Sequence, residues 1–230
     1  MRSLRVEDLT FEVRRSRRRK TLQITVDRGG ELILAAPECC PDAALEGFVR
    51  DKLFWIYTKL AEKDLLEQPR KRRMVSGEGF PYLGRSYRLL LVGEQDVPLK
   101  LERGRFRLRR ADAQDGRRCF IRWYKDHARP WLTRRAARFA PRLGVAPPGV
   151  RVLDLGYRWG SCSQGGNLNF HWAVILLPPR IVEYVVVHEL VHLHEKHHTR
   201  AFWTRLERAL PDYQERRTWL ARRGGAVVGW

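Results

Sequence analysis

Long apolar runs are missing from this 230-residue chain: no stretch approaches the roughly 20 residues that span a bilayer. Met1 to Arg19 also lacks the apolar centre of a signal peptide, so a cytoplasmic protein without membrane contact is expected. Cysteine is sparse. Cys39, Cys40, Cys119 and Cys162 form no CxxC pair and no ligand spacing, which argues against both a disulfide framework and a zinc ribbon and leaves reduced thiols as the expectation. Acidic residues are outnumbered, 26 Asp+Glu against 45 Lys+Arg, for a formal net charge of +19. Such an excess attracts polyanions without identifying one, and an arginine-rich coding bias would give a similar count. Long internal repeats, low-complexity tracts beyond the Arg clusters and nucleic-acid-binding fold signatures are absent too. With 43% hydrophobic residues, the chain has enough apolar material for one substantial core or two small domains.

What is present is organised around Val185-Val-Val-His188-Glu189-Leu-Val-His192-Leu-His-Glu-Lys-His197-His198. On an α-helix, residues four apart differ by only about 40° around the axis, so His188 and His192 project from one face and can share an ion. Glu189 follows on the adjoining edge, where it can act as a general base without being a ligand. This division of labour points to zinc (Zn²⁺). The apolar run from Ile181 to Val187 places the motif deep in the fold, where unpaired polar groups are costly. Propensity alone favours a strand for Val185-Val186-Val187, but the HExxH spacing requires a helix.

A catalytic zinc needs a third protein ligand and an open fourth position. His194 lies about 240° around the helix from His188 and is a bystander if the helix continues. His198 works if the helix stops after Glu195 and the chain doubles back. His197 is the neighbouring alternative, and Glu207 or Glu215 would give a two-His-one-Glu site. His198 is favoured because Thr199 suits the N-cap of the next helix and would fix the turn.

Elsewhere, Leu9 to Val13, Thr21 to Val26 and Glu31 to Ala35 alternate as strands, with Asp27 to Gly30 as a hairpin turn. The basic run Arg14 to Lys20 should be solvated or touch a partner. Pro41-Asp42 opens a helix to about Leu66. After the basic linker from Gln68 to Arg73, Gly79 to Val92, Val97 to Leu101 and Arg105 to Arg109 read as strands. Ala111 to Gly116 is the expected domain boundary. Arg117 to about Leu143 is helical, with Pro130 kinking or dividing it. Val150 to Leu155 and Leu168 to Ile175 read as strands flanking the Arg158-Trp-Gly-Ser-Cys162 loop. Pro178-Pro179 starts the histidine helix. Phe202, Trp203, Leu206 and Leu210 should pack behind the metal site, and a last helix from Pro211-Asp212 should end at Gly224-Gly225.

Arg158-Trp159-Gly160-Ser161-Cys162, Gly166-Asn-Leu168-Asn169, Tyr184 to Leu193, His198-Thr199 and Phe202-Trp203 together resemble the YgjP-like family of metal-dependent hydrolases, which is similar to the SprT and WLM metallopeptidases of the zincin group. The resemblance spans most of the C-terminal half. It implies zinc on His188, His192 and His198 and a catalytic Glu189. Where the family pattern has Asn, this chain has His197. It also makes Leu168 to Ile175 the strand expected to receive a substrate backbone. Tyr157, Arg158, His171 and Tyr213 are candidate donors to a substrate carbonyl oxygen, and Cys162 is expected to be a small buried residue in a tight turn.

The fold class expected is α+β. A basic, β-rich N-terminal domain with one long helix (1–112) would precede a zincin-like catalytic domain with the HExxH helix (113–230). The function expected is a zinc metallopeptidase acting on protein or peptide, with nucleic acid as a candidate partner for the basic N-terminal surface. The alternatives are a metal-dependent phosphoanhydride hydrolase of nucleoside triphosphates and a nucleic-acid-binding protein with structural zinc. Nothing in the sequence sets the oligomeric state.

Overall fold

Alternating apolar residues build the first sheet, as read from a computed structural model that describes residues 2–27, 31–53, 56–57, 59–60, 72–146, 148–156 and 158–228. Strands β1 (Arg2–Val6), β2 (Leu9–Ser16), β3 (Gln23–Val26) and β4 (Leu32–Pro37) lie in the order β1-β2-β4-β3, with only β2 and β4 parallel. Phe11 and Leu34 are fully buried, with Leu45 and Val49 of helix α1 (Asp42–Asp51) in the same core. Burying each such side chain contributes about 1.5–3 kcal/mol. Of the expected turn, Arg28 to Gly30 lies outside the described residues. Asp27 and Glu31 on either side of it are hydrogen-bonded, the Asp27 N–H donating to the Glu31 carbonyl at 2.8 Å. The helix expected to reach Leu66 ends at Asp51, and helical residues recur at 53, 56–57 and 59–60. Its remainder and Arg70-Lys71 of the basic linker lie outside the described residues.

The basic run from Arg14 is partly neutralised by carboxylates of this sheet and of the segment that follows it. Arg14 pairs with Glu12 at 2.7 Å, Arg15 with Asp42 at 2.6 Å and Arg17 with Glu38 at 2.6 Å.

The second sheet comprises β5 (Gly79–Tyr82), β6 (Arg85–Val92), β7 (Leu99–Glu102) and β8 (Arg105–Arg109) in the order β5-β6-β8-β7. The Arg105-Phe-Arg107-Leu-Arg109 alternation leaves Phe106 and Leu108 on a face that must be covered. Helix α2 (Gly116–Phe139) covers it: Phe120 stacks on Phe80 at 4.0 Å and meets Phe106 at 4.9 Å. One core therefore runs through the boundary expected at 112/113. The chain instead divides into Met1–Gln68 and Pro69–Trp230. Pro130 sits inside α2 without dividing it, and the turn after it closes at Gly144, whose φ of 68° is left-handed.

The third sheet, β10-β11-β9, contains β9 (Val150–Leu153), β10 (Gly160–Cys162) and β11 (Leu168–His171). The strand expected to continue to Ile175 stops at His171, and Trp172–Leu176 forms a buried 3-10 turn. Helices α3 (Pro179–Val191), α4 (Arg200–Ala209) and α5 (Tyr213–Val227) complete a mixed α/β fold. None of the described helices is long and apolar enough to cross a membrane. α5 passes through Gly224 and Gly225 rather than ending there. A Cβ on Gly224 would lie 3.0 Å from the Trp159 ring, so this glycine permits close packing.

Candidate metal centre

Helix α3 begins at Pro179, whose missing N–H is no loss at a helix start, and it buries nine residues, Val185 to Val187 among them. Core packing thus overrides the β preference of the three valines. His192 is the C-cap residue, with φ −63° and ψ −14°, so helical spacing persists through it. The helix itself ends at Val191, four residues earlier than expected, the chain turns, and Thr199 occupies the N-cap of α4 without a side-chain cap bond.

This turn brings His198 over the helix face. The ligand-type nitrogens of His188, His192 and His198 all lie within 4.8 Å of one another. Nε2 of His188 is 3.0 Å from Nε2 of His198. The Nδ1–H of His192 donates to the Glu195 carbonyl at 2.9 Å, which leaves its Nε2 as a lone-pair donor. Phe202 seats the cluster, its ring 4.7 to 4.9 Å from all three imidazoles, and Trp203 stacks on His198 at 5.7 Å. His197 is not in the cluster. The other candidates are engaged elsewhere or lie apart: the Nε2–H of His194 donates to the Leu143 carbonyl, Glu215 pairs with Arg180, and Glu207 does not join the three imidazoles.

Burial holds the His188 imidazole neutral, pulling its pKa down to about 3, with smaller contributions from His192, His198 and Arg217. Burial first, then His192, Arg217 and His197, lower His198. Neutral imidazoles present lone pairs rather than protons. His188 Nδ1 is buried and has no hydrogen-bond partner, an atom the fold leaves unsatisfied. Two nitrogens at about 2.0–2.1 Å from one tetrahedral zinc would stand about 3.3 Å apart, close to the spacing of the His188–His198 pair. Three imidazoles suit Zn, Cu, Fe or Ni better than Mg or Ca. The donor set fits a transition-metal ion.

Glu189 is only 5% exposed, and burial raises its carboxyl to about 8 against the opposing charge of Arg158. Gly160 of β10 makes the room: a Cβ there would lie 2.7 Å from Glu189 Cγ and Oε1. This role is invisible in sequence, although Gly160 belongs to the Arg158-to-Cys162 stretch already singled out. Arg217 is a second residue the sequence did not mark. Its Cζ lies 4.8 Å over the Trp203 ring, and its charge acts on His188, His198 and Tyr184.

Of the candidate donors, His171 is committed to the fold: its Nε2–H faces Asp154 at 3.2 Å and its Nδ1 accepts from the Ala173 N–H at 3.1 Å. Tyr213 is buried and stacks on Trp203 at 5.7 Å, Arg158 is exposed, and Tyr157 lies outside the described residues. Cys162 is half-buried in a strand, its thiol raised by burial and then by Glu189.

The strand expected to receive substrate is paired on both sides and has no free edge. β11 is central, with β10 and β9 on its two edges. The outer strand beside α3 is β10. The Trp159 carbonyl accepts from His171 and the Ser163 N–H donates to Asn167, each at 2.9 Å. The antiparallel alternation therefore turns the peptide groups of Gly160 and Cys162 to the open edge.

Residues 20–223 match the family described as YgjP-like, metallopeptidase domain. No curated protein matches. Among solved structures, the metallopeptidase zymogen of Pyrococcus abyssi abylysin is similar at 25% identity, over 40% of this chain and 97% of that one, with a TM-score of 0.36.

Proposed function

The chain belongs to the YgjP-like metallopeptidase family, and from that premise we propose that it is a zinc-dependent peptidase built on a zincin-like HExxH helix. His188, His192 and His198 hold the ion, and Glu189 is the general base. The observation that carries this reading is the convergence of three imidazoles beside a buried carboxyl that is not one of them. Bound there, zinc supplies Lewis acidity, which acidifies water and polarises a carbonyl oxygen.

The protein's own groups do the rest. Glu189 accepts the proton of the attacking water and returns it to the amine that leaves. A carboxyl raised by burial suits both halves of that task near neutral pH, and a nearby cation would draw it back towards the ionised form. Gly160 keeps Glu189 against β10. The outward peptide groups of Gly160 and Cys162 can hold a substrate backbone as an added strand, which supports a peptide over a nucleotide. The net charge of +19 supports substrates that accompany nucleic acid.

The test is metal content and turnover on casein and nucleotide panels, with and without DNA. Glu189→Gln should keep the metal and lose casein cleavage, whereas His188→Ala should lose both. Turnover of nucleotides alone would overturn the peptidase reading.

A further inference from the structure

A groove of about 910 Å³ runs between α2 and β9, and none of its lining residues belongs to the three-His cluster or to the β10 edge. Four consecutive strand residues, Val150 to Leu153, line it. A strand's face offers only every second side chain, so four in a row mean that the groove follows the strand's edge. β9 is the last strand of its sheet, paired on one side with β11. The Leu168 N–H donates to the Gly149 carbonyl at 2.8 Å. In the parallel alternation this starts, Gly149, Arg151 and Leu153 bond towards β11, and the peptide groups of Val150 and Val152 face outward. Among the described residues, neither makes a backbone hydrogen bond outside the strand ladder.

The walls are cationic. Lys125, Arg129 and Arg134 come from α2 and Arg151 from β9, against a single carboxylate, Asp126. Among the described residues none of the four cations lies in an ion pair. Along α2 the three cations are about 6 and 7.5 Å apart, and same-side residues of an extended chain are about 6.6 Å apart. Lys125 and Arg129 share one side of the helix and Arg134 lies further round it, so the acidic side chains of an extended segment laid along the groove would meet cations at both its margins. A single-stranded nucleic acid would also find the charge, but it needs aromatic platforms for its bases, and the lining has none. Nor can phosphates donate to the outward carbonyls of β9.

We propose that this groove binds an extended, acidic segment of a partner protein as an added strand on β9. The outward peptide groups of Val150 and Val152 supply the ladder, and the four cations select the acidic side chains. The same charges deter a second copy of β9 from pairing there.

The test is fluorescence anisotropy of the full chain with a labelled peptide of about eight alternating Glu and Val residues, long enough to cover the strand. Three comparators are used: its Gln-for-Glu counterpart, the acidic peptide N-methylated at every second amide, and a single-stranded oligonucleotide. The acidic peptide should bind, and the Gln and N-methylated forms should bind at least about tenfold more weakly. Arg129→Glu with Arg151→Glu should weaken it by at least about tenfold, the milder Arg129→Gln with Arg151→Gln by less, and Arg117→Glu in the first turn of α2 not at all. Thermal melts identify variants that fail to fold, for which the Gln pair decides. The proposal is overturned if the acidic peptide fails to bind or the N-methylated form binds as tightly. Undiminished binding by a folded groove variant, or an oligonucleotide that displaces the peptide, overturns it as well.

Discussion

Two histidine regions of the larger unit differ in what they leave unsatisfied. Around His171 the fold uses both ring nitrogens, one against Asp154 and one against the Ala173 N–H. Around His188 it does the reverse, facing Nε2 towards another imidazole's Nε2 and leaving Nδ1 buried without a partner. Both rings cost free energy to bury, and the second recovers less of it from the protein's own groups, because its Nδ1 has no partner.

Substitution tests the contrast at its widest. His188→Ala should abolish metal retention and lower turnover by about 10³-fold or more, whereas His171→Ala should keep metal and turnover while lowering stability by about 1–3 kcal/mol. Metal analysis and thermal melts of the two variants check this. Comparable metal loss in both would erase the distinction.

Glu189→Gln should reduce turnover by about 10²- to 10⁴-fold with metal content unchanged, as seen by single-turnover peptide cleavage beside elemental analysis.

The third prediction concerns protein stripped of metal. The Glu189 pKa is raised in the fold to about 8 from the ordinary 4.5. The stability conferred by its protonated form is complete below about pH 4.5 and is lost as pH rises to about 8. Across that window wild type should lose a few kcal/mol relative to Glu189→Gln, with no further divergence above it, as measured by denaturant melts. Restoring zinc should flatten the difference, because a cation favours the carboxylate.

The smallest effect is expected at Gly160→Ala. The added Cβ would press on Glu189 Cγ and Oε1, at a cost of about 1–3 kcal/mol. Lowered turnover with retained metal would place the damage at the base. An unchanged rate would mean that β10 does not set the position of Glu189.

Much of this site was legible because helical spacing is a hard constraint. Once His188 and His192 had to share a face, the β preference of Val185 to Val187 could not prevail, and α3 is helical there. The choice between His197 and His198 was harder, because it depends on how a turn closes after Val191. β10 was unreadable, since three residues, Gly160 to Cys162, carry no alternation, although they pair with β11 across a short local turn. The role of Gly224 was out of reach for another reason: its neighbour Trp159 is far away in sequence. The boundary after β8 failed because a short polar segment looks like a linker, although the apolar face of β8 needs the helix that follows.

The most direct test is the metal environment of the purified full chain, measured by elemental analysis and X-ray absorption at the zinc edge. One zinc per chain is predicted, with three imidazole nitrogens at about 2.0–2.1 Å and a fourth ligand from solvent, and with one imidazole lost in His198→Ala but none in His197→Ala. A metal-free protein, a site closed by four protein ligands, or loss of an imidazole in His197→Ala would contradict it.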